Sequence, residues 1–158
     1  MSEAIAALGI RTGCLHTEIK VTDAGLRVIE VNGRIGGFVA PVLALASPGF
    51  DFFEISQRVA LGEPAAFADL LPTPEVGYVT VGQPPIGAHR VASVAGLDKV
   101  AAYPGVNSVF LNRRPGAKVD WRLGSHEYVY AVLGRAPDHD AVRAMQDFVD
   151  EEVEVVYE

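Results

Sequence analysis
The chain has 158 residues, 49 % apolar and 21 % charged, with a formal net charge of −7 and a single cysteine. Length and composition fit a globular protein with one substantial core, or one domain and part of another, and exclude a disordered or membranous chain. The acidic balance speaks against a nucleic-acid partner, and no apolar run is long enough to span a bilayer. No secretory signal opens the sequence and Cys14 has no partner, which points to the cytoplasm.

Taken in chain order, Ser2–Leu8 predicts a short helix, capped by Ser2 and ended by Gly9. Gly13–Val21 then alternates, with Cys14, His16, Glu18 and Lys20 on one face and Leu15, Thr17, Ile19 and Val21 on the other. Thr22-Asp23-Ala24-Gly25 supplies turn chemistry and Leu26–Val31 is a second β-branched run, so the stretch reads as a hairpin. A two-residue Ala24-Gly25 loop would force positive φ on Ala24, so a three-residue Asp23-Ala24-Gly25 loop with Gly25 left-handed is expected. That register sets Thr22 opposite Leu26, Lys20 opposite Val28, Glu18 opposite Glu30 and His16 opposite Asn32. Two carboxylates so placed repel by roughly 3 kcal/mol at ~5 Å and an effective dielectric of about 20. One resolution is a cation between them, and donors of the Glu, Glu, Asn type suit Mg²⁺ or Mn²⁺ rather than Zn²⁺. The other is a solvated face, where such charges are ordinary.

Asn32-Gly33-Arg34-Ile35-Gly36-Gly37 leads into Phe38–Ala46, an expected helix with Pro41 in its first turn. A glycine-rich backbone ahead of a helix offers N–H groups to an anion, and Arg34 adds a planar donor fork for carboxylate or phosphate. Carboxylates, an arginine and such a loop in so short a stretch outline a phosphoryl-transfer site.

Ser47-Pro48-Gly49 breaks the helix. Asp51 starts another, with Glu54 in a capping-box position, Phe52, Ile55, Ser56 and Val59 as inward stripe, and Gly62 as stop. Phe50, Phe52 and Phe53 read as core. Residues 63–75, rich in Pro and Ala, connect to a β-rich region. Val76–Val81, Ala88–Ala95, Val106–Asn112 and Tyr128–Arg135 are its strands, in a small antiparallel sheet, with a helical turn in Leu97–Tyr103. Asp138 begins a last helix striped by Val142, Met145, Phe148 and Val149, and Val153–Tyr157 closes as a strand fit for the same sheet. Arg113-Arg114 reads as a solvated turn. Ser125-His126-Glu127, as neighbours on an extended strand, point to alternate faces and make no triad. His89, His126 and His139 have no zinc spacing.

The segment His16-Thr17-Glu18, the hairpin, then Ile29-Glu30-Val31-Asn32-Gly33-Arg34-Ile35-Gly36-Gly37 resembles the C-terminal part of an ATP-grasp domain. It is most similar to the carboxylate–amine (amino-acid) ligase and biotin-carboxylase-like branch. Val94-Ala95-Gly96-Leu97, Pro104-Gly105-Val106 and Arg114-Pro115-Gly116-Ala117-Lys118-Val119 resemble the appendage that follows that domain. The resemblance implies an α+β fold: an ATP-grasp part of antiparallel hairpin plus helices over 1–62, a linker over 63–75, and a mainly antiparallel appendage with a C-terminal helix and strand over 76–158. It implies ATP and Mg²⁺ (or Mn²⁺) as cofactors, held by Glu18, Glu30 and Asn32. It implies a catalytic role for Arg34 on the carboxylate substrate or its acyl phosphate, with backbone help near Gly36 and Gly37. His16 shares the Glu18 face and is placed to line the substrate site, or to serve as a packed structural histidine; Lys20 is expected in solvent.

The implied reaction activates a carboxylate with ATP to an acyl phosphate, which an amine then displaces. The upstream half that grips ATP has no room before residue 12, so the chain is expected to be inactive alone. Its expected partners are that N-terminal half, small-molecule carboxylate and amine substrates, and a second copy in a homodimer. Two alternatives stay open: a non-catalytic ligand- or partner-binding module of ATP-grasp-derived fold, and a biotin-carboxylase-like enzyme that activates bicarbonate.

Overall fold
In the computed structural model, residues 2–47, 51–64 and 74–158 are described. Pro48, Gly49, Phe50 and most of the 63–75 connection lie outside them. The chain forms two compact units, Met1–Leu71 and Pro72–Glu158.

The first unit opens with helix α1 (Ser2–Ala7). It ends at Gly9, whose φ of 71° is left-handed and whose amide donates to the Ala6 carbonyl at 2.9 Å. Strands β1 (His16–Thr22) and β2 (Gly25–Asn32) pair antiparallel. The register differs from expectation at the tip. Thr22 faces Gly25, Val21 faces Leu26 and Lys20 faces Arg27, so the loop is the two residues Asp23 and Ala24. Gly25 still carries the left-handed φ, at 96°. Between Glu18 and Ile19 the register shifts: Ile19 faces Val28 but Glu18 faces Glu30, leaving Ile29 as the extra residue of a bulge. The shorter loop and the bulge cancel. Glu18 therefore does face Glu30, and His16 faces Asn32. On the other side of the ribbon Ile19, Val21, Leu26 and Val28 are exposed.

Helix α2 (Val39–Ala46) places Pro41 in its first turn, where a missing N–H costs nothing. Helix α3 (Phe52–Ala60) is capped by Asp51, whose Oδ1 accepts the Glu54 amide at 2.9 Å. The Glu54 carboxylate turns to Arg58, at 2.7 Å, so only half of the capping box forms. Phe52, Ile55, Ser56 and Val59 are the less exposed residues of α3, whereas Phe53 is 56 % exposed and is not core.

The second unit contains β3 (Val76–Gly82), β4 (Val91–Ala95), helix α4 (Leu97–Ala101), β5 (Val106–Leu111), a 3₁₀ segment (Trp121–His126), β6 (Tyr130–Ala136), helix α5 (His139–Glu152) and β7 (Glu154–Tyr157). Strand β6 is the centre of an antiparallel sheet of order β3-β6-β5 and is buried at every position but Arg135. The closing strand does not join it: β7 pairs with β4 in a separate two-stranded sheet, Ala95 facing Glu154. Val91, Val100, Val129, Val132, Met145 and Val149 are the largest fully buried side chains, and Met145 and Val149 bring the stripe of α5 onto them. Asp138 starts α5 by accepting the Ala141 amide at 2.8 Å.

Two further expectations in this unit are corrected. Arg113 is not a solvated turn residue: its Nε and Nη2 donate to the two carboxylate oxygens of buried Glu127 at 2.9 and 3.1 Å. Ser125 and His126 lie on the 3₁₀ segment, with a backbone break at Gly124, rather than on an extended strand. Glu127 is turned into its ion pair, so no triad forms from these neighbours.

Candidate functional site
The hairpin decides the site, because residues facing each other across an antiparallel ladder share one side of it. His16, Glu18 and Glu30 each bring one ligand atom to within 4.8 Å of the others. The cluster is partly open, with both glutamates exposed and His16 half-buried. Asn32 joins it through Glu30: the Asn32 Nδ2 donates to Glu30 Oε1 at 2.6 Å. A carboxylate can only accept, so this bond fixes the amide with its NH₂ on Glu30 and its Oδ1 turned elsewhere. The His16 Nδ1 is buried and has no hydrogen-bond partner among the described residues. Lys20, exposed and opposite exposed Arg27, takes no part.

These donors fit a hard or borderline divalent cation. Two like charges held face to face without a neutralising cationic side chain are what such an ion relieves. Among the described residues no Lys or Arg forms an ion pair with Glu18 or Glu30.

Two residues past Asn32, Arg34 is exposed; its Nη1 donates to the Ile35 carbonyl at 3.0 Å. It lines an open cleft of about 470 Å³ together with Cys14, Gly33, Ile35, Ser56 and Val59. Gly36 is buried and Gly37 exposed, and neither lines this cleft. At Gly33 and Gly37 φ is not left-handed, and an added Cβ would meet nothing within 4 Å. Neither backbone conformation nor protein neighbours demand glycine there. Phe38, the N-cap of α2, gives the helix no side-chain cap. Cys14 in the cleft was not among the residues that sequence reasoning singled out for the site. Its place on the His16 and Glu18 face was the available signal.

No family model matches the chain. It is 27 % identical over 148 residues to the uncharacterized protein y4rH of Sinorhizobium fredii, covering 90 % of this chain and 30 % of that protein. A stretch of 54 residues is 41 % identical to carnosine synthase 1 of Mus musculus, covering 34 % of this chain and 6 % of that one. The L-amino acid ligase of Bacillus licheniformis superposes with a TM-score of 0.80 and 27 % identity, over 98 % of this chain and 38 % of the ligase. Phosphoribosylglycinamide synthetase of Anaerococcus prevotii shares the fold, with a TM-score of 0.76 at 12 % identity and 40 % of its chain covered. The chain thus spans well under half the length of these proteins. Among its described residues, no helix is long and apolar enough to cross a membrane. Its α+β architecture and a likeness that runs along almost its whole length match the C-terminal portion of the ATP-grasp fold.

Proposed function
We propose that this chain is the metal- and substrate-binding portion of an ATP-dependent carboxylate–amine ligase, working in the cytoplasm together with the ATP-gripping part of the fold. Residues 1–62, within its first unit, would hold the site, and residues 76–158, within its second, would form the appendage. The observation that carries the reading is the facing pair Glu18 and Glu30 with Asn32 bonded to Glu30. Carboxylate and amide oxygens so grouped suit Mg²⁺ on the phosphates of ATP. The ion's chemistry there is to neutralise charge that develops on phosphate oxygens during transfer. The similarity to an L-amino acid ligase supports a small carboxylate as substrate and an amine as acceptor.

The chain's own residues do the rest. Glu18 and Glu30 supply negative charge at a fixed spacing, and Asn32 orients Glu30 while offering its own oxygen. Among the described residues, Arg34 spends only one donor, on the Ile35 carbonyl, and offers the rest of its fork to a substrate carboxylate or its acyl phosphate. Gly33 and Gly37, both exposed and flanking buried Gly36, leave backbone open for an anion to approach. The carboxylate oxygen attacks the γ-phosphorus of ATP and ADP leaves; the amine then attacks the acyl carbon and phosphate leaves. In the complete enzyme, Glu30→Gln is expected to abolish ligation and ADP release while leaving the fold intact. Unchanged ADP release in that variant overturns the assignment.

A further inference from the structure
We infer that His16 adds a nitrogen donor to this site, making it a mixed nitrogen–oxygen cluster that prefers Mn²⁺ to Mg²⁺; the inference rests on the metal reading of Glu18, Glu30 and Asn32. Three observations carry it. The ligand atoms of His16, Glu18 and Glu30 all lie within 4.8 Å of one another, a separation one ion can bridge with small adjustments. His16 is held opposite Asn32 by the ladder, two pairs along from Glu18 and Glu30 and so on the same face, and its place is set by backbone pairing. Its Nδ1 is buried and, among the described residues, unpartnered, whereas a histidine kept for structure alone ordinarily spends that atom on a hydrogen bond.

The ligand class follows from the donors. Carboxylate and carbonyl oxygens alone serve Mg²⁺ well, whereas an imidazole nitrogen favours borderline first-row ions. Asn32, with its NH₂ on Glu30, also fixes that carboxylate, which is how a neighbouring group tunes a metal ligand.

The test uses the 158-residue chain with Mn²⁺ alone, Mg²⁺ alone, and each with ATP. Electron spin-echo spectroscopy of bound Mn²⁺ should show a directly coordinated imidazole nitrogen, absent in His16→Ala. That variant should weaken Mn²⁺ by at least about tenfold and Mg²⁺ by less than about twofold. Mn²⁺ binding that needs Glu30 but shows no nitrogen coupling overturns the role of His16 and leaves the metal reading standing. No saturable binding of either ion, with or without ATP, overturns the metal reading and this inference with it. The wild-type spectrum decides the matter even where His16→Ala or His16→Gln fails to fold.

Discussion
Asn32 donates its amide nitrogen to Glu30 at 2.6 Å, across the short side-chain reach of alternate residues on one strand. The bond ties a neutral donor to a carboxylate that already faces another. Asn32→Asp replaces it with a third negative charge. Without divalent ions the variant should lose about 1 kcal/mol of stability, the scale of one charge-assisted hydrogen bond and a like-charge contact. Thermal melts with and without Mg²⁺ check this: the ion should raise the midpoint more in the variant than in the parent. An equal rise in both would mean that no ion binds at Glu30.

Glu127 is 4 % exposed and its charge is answered by Arg113 through two hydrogen bonds. The same contact lifts the Arg113 pKa, chiefly through the hydrogen bonds from its guanidinium to Glu127. Arg113→Met strands a buried carboxylate. The expected loss is about 2 kcal/mol, below the usual range for a broken buried pair because a third of the arginine side chain stays in water. Urea denaturation measures it, and the double variant Arg113→Met, Glu127→Leu should recover most of the loss.

Burial pushes the Tyr130 hydroxyl above its ordinary range, with Asp150 and Tyr157 adding to the effect; Tyr78 is raised by burial and by Tyr103. A tyrosine with a raised folded pKa keeps its proton longer in the folded chain than in the unfolded one. The stability it contributes is therefore full below about pH 10 and is lost as the pH rises through the raised values. Tyr130→Phe should flatten the fall of stability above that pH, read as denaturation midpoints along an alkaline series. A fall as steep as the parent's would assign it to other groups.

Tyr78 is 6 % exposed and, among the described residues, its hydroxyl has no hydrogen-bond partner. Tyr78→Phe removes a desolvated polar atom and keeps the ring. Stability should hold or rise by up to about 1 kcal/mol. A loss greater than that would show that the hydroxyl is paired in solution.

Gly96 caps α4 at a φ of 85°, and an added methyl would overlap the Glu152 carbonyl oxygen at the end of α5. Gly96→Ala combines left-handed strain, about 1 kcal/mol, with a clash against backbone that cannot turn aside. A loss of at least about 2 kcal/mol is expected in calorimetry.

The alternation of His16, Glu18 and Lys20 showed one face of the hairpin, and that much is local. The facing of Glu18 and Glu30 was also readable, though by a different route from the one the chain takes. A three-residue loop in a regular ladder and a two-residue loop with a bulge give the same partner at Glu18 and different ones at Lys20 and Thr22. Nothing in Val28-Ile29-Glu30 distinguishes them, because β-branched residues suit bulged and regular strands alike. The Arg113–Glu127 pair was missed because its members lie 14 residues apart, and burial of a glutamate is set by tertiary packing. The stripe of α5 was plain because a helix sorts its faces by sequence alone, whereas pairing β7 with β4 rather than with the larger sheet depends on how the chain turns after Glu152.

Among the described residues, every donor of the cluster rides on a ribbon of only two strands. Such a ribbon is marginal by itself in water. Its amides should trade hydrogen with solvent sooner than those of β6, the central strand of the larger sheet. The cluster would then be a geometry visited and left many times before a ligand arrives. An ion gripping both strands at once would act as a clasp, and the slowing of exchange at His16, Glu18 and Glu30 would record how long it stays shut.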